Sequence, residues 1–266
     1  MRIINTIYNL TGSIDTNIVH ISDIHYYNKK CIKRLNKILE KIKSIKPNYI
    51  CITGDITDEA NIYNEEYFID WLTDLASISK VIICLGNHEY YLNCEKNIFG
   101  LNYKLIDKIK KIKNLYLLNN ENIKIDKINF IGLNLTYEHY MLYKESNESF
   151  KKYIKYVKTD KKYYNILLCH TPSNIINNID KLNCELVLSG HMHGGIMPHI
   201  FRKNFKNRGL ISPQKKLFPK NIYGHIKINN KNLIITSGVV VFSHFNNFRF
   251  LNTFFAPEIV NIKVKK

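Results

Sequence analysis

The chain of 266 residues carries 39 Lys and Arg against 22 Asp and Glu, a net charge of +17, and 45% of its residues are hydrophobic. That apolar fraction excludes a disordered chain and allows a sizeable core, while no run approaches the length of a membrane span. The positive charge favours polyanions such as phosphorylated substrates, an anionic membrane surface or nucleic acid. The lysines are spread widely, so nucleic acid is compatible with this charge but not favoured. No feature indicates a protein partner. Met1-Arg2-Ile3-Ile4-Asn5 lacks the apolar stretch of a signal peptide. The six cysteines show no CxxC pair and no disulfide-like spacing, which suits a reducing compartment. These features set the expectation of a cytoplasmic protein. With no linker-like segment and no repeat, a single domain over 1–266 is expected.

In chain order, Asn17 to Ser22 reads as a strand that delivers Asp23-Ile24-His25. Ile32, Leu35, Ile38, Leu39, Ile42 and Ile45 recur at helical spacing, and Pro47 closes that helix. A second strand, Tyr49–Thr53, runs into Gly54-Asp55-Ile56-Thr57-Asp58, and a helix is expected over 65–77. Val81–Leu85 forms a third strand, followed at once by Gly86-Asn87-His88-Glu89. A basic helix near 104–113 precedes a hairpin of Ile123–Ile125 with Ile128–Gly132, and a further helix is expected over 149–158. Two apolar runs, Asn165–Leu168 and Glu185–Leu188, then lead into Cys169-His170 and Gly190-His191-Met192-His193-Gly194-Gly195. A hairpin of Ile226–Ile228 with Leu233–Thr236 and a strand Ile259–Val264 complete the chain. Alternating strands and helices predict right-handed crossovers and partly parallel sheets.

Each strand therefore ends in a polar cluster, where open α/β sheets place their chemistry. The clusters are Asp23/His25, Asp55/Asp58, Asn87/His88, His170 and His191/His193. Carboxylate, imidazole and amide oxygen together suit borderline divalent ions such as Mn, Fe, Zn or Co. One carboxylate can bridge two such ions, about 3.5–4 Å apart, which grip the attacking and leaving oxygens of a displacement.

The ordered set Asp-x-His, Gly-Asp-x-x-Asp, Gly-Asn-His-Glu, a lone His and Gly-His-x-His, spanning Asp23 to His193, resembles the calcineurin-like metallophosphoesterase superfamily. The resemblance implies an α/β fold, a four-layer α/β/β/α sandwich of two mixed sheets flanked by helices. It implies two divalent ions, with Mn favoured: one held by Asp23, His25, Asp55 and His193, the other by Asp55, Asn87, His170 and His191. His88 matches the family histidine that contacts the phosphate and protonates the leaving oxygen, and Asp58 joins it as a catalytic candidate. Asp58 and Glu89 match positions that orient neighbouring imidazoles, although a turn or capping role is nearly as good a reading. The implied reaction is in-line attack by a metal-bridging hydroxide, without a covalent enzyme intermediate.

A narrower likeness, to the YkuE/YaeI-like phosphodiesterase branch, rests on Gly190–Gly195, Tyr223-Gly224, Thr236-Ser237-Gly238 and Ala256-Pro257-Glu258-Ile259. It implies phosphodiester hydrolysis, on lipid-linked or membrane-proximal phosphodiesters or pyrophosphates. Met192 and Ile196 stand where that branch has Thr and Gln, and Val239–His244 departs from its Pro-Arg-containing stretch. A basic loop insertion at about 196–221 interleaves aromatic and basic residues. Arg202, Lys203 and Arg208 are the candidate substrate-binding residues there, against the alternative of a solvated loop. This loop also suggests a peripheral position at the inner face of a membrane. Hydrolysis of nucleotides or nucleic acid and a non-catalytic metal-binding scaffold are the competing functions.

Overall fold

The computed structural model describes residues 2–58, 62–93, 98–135, 147–212, 216–239 and 256–266. Its strands form two six-stranded mixed sheets. The first sheet contains β1 (Ile4–Thr11), β2 (Thr16–Ile21), β3 (Tyr49–Thr53), β4 (Lys80–Cys84), β7 (Leu115–Leu118) and β14 (Glu258–Lys265), in the order β1-β14-β2-β3-β4-β7. The second contains β8 (Glu121–Ile125), β9 (Ile128–Leu133), β10 (Tyr164–Cys169), β11 (Leu186–Ser189), β12 (Gly224–Ile228) and β13 (Lys231–Ile235), in the order β12-β13-β11-β10-β9-β8. A two-stranded ribbon of β5 (Tyr91–Asn93) and β6 (Ile98–Phe99) lies apart from both.

Side chains alternate across each strand, and this period of two builds the layers. On β3, Ile50 and Ile52 face one core while Tyr49 and Cys51 face another. The first core packs sheet one under α1 (Lys29–Ile45), α2 (Glu65–Ile78) and α3 (Tyr103–Lys110), with Leu35, Ile38, Trp71 and Ile109 as helix contributions. The second core, including Ile18, Ile82, Phe130, Ile166, Leu188 and Val260, fills the space between the sheets. The third lies between sheet two and α4 (Asn147–Ile154) with α5 (Ser173–Asn178), through Leu133, Leu167, Val187, Phe150 and Ile175. Three apolar layers separate four structural ones, which is the expected α/β/β/α sandwich.

The expected elements fall within a few residues of those found. β1 carried no expectation because Asn5, Thr6 and Asn9 interrupt its apolar residues, and β7 carried none although Leu115–Leu118 is an uninterrupted apolar run. Helix α1 ends at a left-handed Lys46 just before Pro47, and Asn28 caps its start by accepting from the Lys30 N–H. His139, Tyr137, Tyr140, His244, Cys94 and Lys215 fall outside the described residues. The other five cysteines are buried and form no disulfide with one another. Among the described residues, no helix is long and apolar enough to cross a membrane.

Candidate metal centre

β2, β3 and β4 run parallel in sheet one, as do β9, β10, β11 and β13 in sheet two, so each set has its carboxyl ends along one edge. The loops beyond β2 and β3 continue the pairing: Asp23 N–H donates to Gly54 O, His25 N–H to Asp55 O and Tyr26 N–H to Ile56 O. In sheet two Gly190 N–H donates to His170 O. The candidate ligands therefore sit on backbone that is hydrogen-bonded, not loose.

Local conformation turns them inward. Asp23, His25, Asp55, His191 and His193 all have positive φ, between 44° and 66°. Non-glycine residues are uncommon there, and each such position costs about 1–3 kcal/mol, with Asp and His better tolerated than most. His193, Gly194, Gly195 and Ile196 follow one another at φ of 44°, 59°, 60° and 49°. Only the two glycines take that left-handed path freely. At Gly86 the reason is space, because a side chain would collide with the Asp55 carboxylate.

Two triads of ligand atoms result, Asp23/His25/His193 and Asp55/His170/His191, and Asp55 also groups with His25 and His88. Asp23, Asp55 and His170 are at most 1% exposed. His170 Nε2 lies 3.0 Å from Asp55 Oδ2 and 4.0 Å from Asp23 Oδ1. His193 Nε2 lies 3.7 Å from Asp23 Oδ1, and His25 Nε2 lies 3.7 Å from Asp55 Oδ2. Ligand atoms about 2.0–2.1 Å from a shared cation lie roughly 3–3.5 Å apart, close to this spacing. His25 Nε2 and Asn87 Oδ1 are buried with no hydrogen-bond partner. Buried polar atoms are seldom left so, and divalent cations would satisfy both. The donor set fits the metals that the sequence implies.

The imidazoles of His25, His88 and His170 are oriented from behind. Asp58 Oδ1 lies 2.9 Å from His25 Nδ1 and 3.1 Å from His88 Nδ1, and the Asp58 carbonyl accepts from His88 Nδ1 at 2.8 Å. His170 Nδ1 donates to Thr53 O at 2.6 Å, which turns its Nε2 toward Asp55. The Asp23 carboxylate accepts from His191 N–H, and Asp55 Oδ1 accepts from His88 N–H at 2.9 Å. Such outer partners fix tautomer and ring direction at metal sites.

The charges follow from this packing. Burial pushes the Asp55 carboxyl up, but His170, His88 and His25 outweigh it and hold the group well below the usual range. Burial works against a charged His88, yet the Asp55 and Asp58 carboxylates raise its imidazole to about 10. His193, buried and beside His170, falls to about 4, so it presents a neutral nitrogen suited to ligation.

The calcineurin-like phosphoesterase family matches residues 16–195, which contain every one of these groups. The chain belongs to that family. An uncharacterized metallophosphoesterase of Campylobacter jejuni is 32% identical over 70% of this chain and 46% of its own length. A counterpart from Aquifex aeolicus is 30% identical over 71% of this chain and 67% of its own. The chain spans about half the length of the curated relatives from Campylobacter jejuni and Helicobacter pylori, 46% and 44%. Over 83 residues, 31% of this chain and 25% of the relative, it is 32% identical to the UDP-2,3-diacylglucosamine pyrophosphatase LpxG of Chlamydia trachomatis. Among solved structures it is similar to the phosphopantetheinyl hydrolase of Mycobacterium tuberculosis, at 11% identity and a TM-score of 0.48, over 83% of this chain and 88% of that one.

In this family member the structure brings together Asp23, His25, Asp55, Asn87, His88, His170, His191 and His193, with Asp58 behind two of the imidazoles. Glu89 takes the turn role of the two expected. Its carboxylate accepts from the N–H groups of Gly86, Asp55, Ile56 and Thr57, so it ties the loops after β3 and β4. Arg202 is turned inward: it donates to Met197 O and Ser237 Oγ, stacks on Tyr223 and lies 3.9 Å from Glu258 Oε2. It anchors the 196–221 segment. Arg208 is exposed, with no contact that draws it to the metal centre, and the Lys203 side chain falls outside the description.

Arg34 was not anticipated from sequence. This buried residue of α1 donates from Nη2 to Ile24 O at 2.5 Å and His25 O at 3.4 Å, across the left-handed backbone that aims Asp23 and His25. Its signal was a cation at an apolar-stripe position, between Cys31 and Leu35, Ile38 and Ile42. Thr53 acts through its carbonyl, so no side-chain pattern could have singled it out.

Proposed function

We propose that this chain is a dinuclear metal-dependent phosphohydrolase that cleaves phosphodiesters or pyrophosphates, with lipid-linked or membrane-proximal compounds as its substrate class. The observation that carries this is the pair of triads, each drawing ligands from both sheets, with Asp55 grouped both with His170 and His191 and with His25 and His88. Asp23, His25, Asp55 and His193 would hold one ion and Asp55, Asn87, His170 and His191 the other. Two divalent ions there, Mn among the candidates, would activate water and neutralise phosphoryl charge.

The chain's own residues supply the rest. His88 stands beside Asp55, carries a proton at neutral pH, and acts as the general acid that protonates the leaving oxygen. Asp58 is a positioning residue, since one carboxylate aligns both His25 and His88. The likeness to the YkuE/YaeI branch and the short match to a lipid-precursor pyrophosphatase support the lipid-linked class.

Turnover of bis-p-nitrophenyl phosphate against p-nitrophenyl phosphate with added Mn²⁺ tests the reaction. Metal-dependent diester cleavage, followed by release from a lipid-linked pyrophosphate and not from nucleotides, is the expected result. Monoester cleavage alone, or nucleotide turnover without lipid turnover, rejects the corresponding part.

A further inference from the structure

Nine large hydrophobic side chains stand exposed among the described residues, and six of them belong to one stretch: Ile200, Phe201, Phe205, Leu210, Leu217 and Phe218. Leu217 and Phe218 are each 64% exposed and Ile200 is 62% exposed, far more than a folded surface needs. The same segment, 196–221, contains seven Lys or Arg and no Asp or Glu. Clustered apolar exposure marks an interaction site.

The described residues of this segment, 196–212 and 216–221, are built, not loose. A 3-10 turn over His199–Asn204 is pinned by Arg202 to Ser237 and by His199 Nε2 to Ala256 O at 2.9 Å. A short antiparallel bend follows, in which Phe218 N–H donates to Leu210 O and Ile211 pairs with Leu217. Leu210 and Ile211 both donate to Gly195 O, two residues beyond the candidate ligand His193. The apolar display is thus fastened beside the metal centre.

We infer that the 196–221 segment docks this protein onto an anionic lipid bilayer and presents the metal centre to that surface. The inference rests on the proposed lipid-linked substrate class for its purpose, but not for its test. Interleaved aliphatic, aromatic and basic side chains suit the headgroup boundary, where apolar groups enter and cations meet lipid phosphate. Single-stranded nucleic acid would use the cations and the rings but gain nothing from Ile200, Leu210 or Leu217. The aliphatic members decide for lipid.

Co-sedimentation with phosphatidylcholine vesicles, with and without phosphatidylglycerol, tests this on the full chain. Binding is expected only with the anionic lipid. The double variant L217S/F218S should bind at least about tenfold more weakly. Lys216→Glu, which reverses a charge, should weaken binding by more than the roughly fivefold expected for loss of one basic residue. All three positions are exposed, and circular dichroism with thermal melting checks that the variants fold. Absence of binding to anionic vesicles overturns the inference. So does binding that L217S/F218S leaves unchanged, which would assign it to the diffuse net charge, or a preference for single-stranded oligonucleotide over vesicles. None of these outcomes depends on hydrolysis, so they stand apart from any failure of the proposed reaction.

Discussion

At the carboxyl ends of the strands the two sheets meet through Asp55 and His170, 3.0 Å apart and almost wholly buried. At the opposite end they meet through Tyr49, whose hydroxyl donates to Asp126 at 2.5 Å, and Lys80, 3.0 Å from the same carboxylate. There the side chain of Asp126 is 63% exposed and that of Lys80 is 37% exposed. Both ends join β3 of one sheet to the other sheet, yet only one holds buried carboxylates and unsatisfied ligand atoms. A structural junction can be built from an ordinary ion pair near water. The other end carries strain and buried charge that divalent cations would compensate, which marks it as functional.

The sharpest break in that contrast comes from the buried end. Asp55→Asn and His88→Ala should each lower kcat on a diester by about a hundredfold or more. His88→Ala should keep its bound metal by elemental analysis, whereas Asp55→Asn should lose some. Full activity in either variant would remove the site from catalysis. Metal removal comes next. With free metal about a hundredfold above Kd, each ion contributes about 2.7 kcal/mol, so chelation should lower Tm by roughly 5–10 °C per site. Asp126→Asn should leave that shift intact.

Arg34 tests whether the ligand backbone must be held from behind. Arg34→Met should weaken metal affinity about tenfold, read by competition with a chromogenic chelator, and Arg34→Lys should restore part of it. Equal affinity in all three proteins would make Arg34 a packing residue only. The smallest effect belongs to the exposed end. The Tyr49 hydrogen bond and then Lys80 lower the Asp126 pKa from its ordinary 3.8. Its contribution is therefore complete above about pH 4 and lost as pH falls through the folded-state value. Asp126→Asn should cost less than about 1 kcal/mol in urea unfolding near pH 7, and the difference should shrink in acid. Asn suits this position because φ there is 54°.

The candidate centre was legible because each ligand follows a strand, and strands announce themselves as short apolar runs. Asp23, Asp55, Asn87, His170 and His191 all stand within three residues of a strand end. Arg34 was hidden, because a lysine-rich helix makes one more cation unremarkable. Arg202 was legible as a cation but not as an anchor, for a related reason. Its neighbours in sequence are basic and aromatic, but its partners Ser237 and Glu258 lie 35 and 56 residues away.

The sequence by itself determined the order of strands and helices, the polar clusters at strand ends and the identity of the expected ligands. The elements and clusters follow from periodicities of two and 3.6 and from the chemistry of carboxylate, imidazole and amide, and the ligand assignment from the resemblance to the calcineurin-like superfamily. Only the tertiary structure decided how the ligands divide between sheets and which backbone positions turn left-handed. It alone decided that Asp58 serves two imidazoles, that Arg202 faces inward while Leu217 and Phe218 face out, and that Glu89 binds backbone. These depend on distances between residues far apart in the chain, set when apolar layers pack and bring the strand ends together.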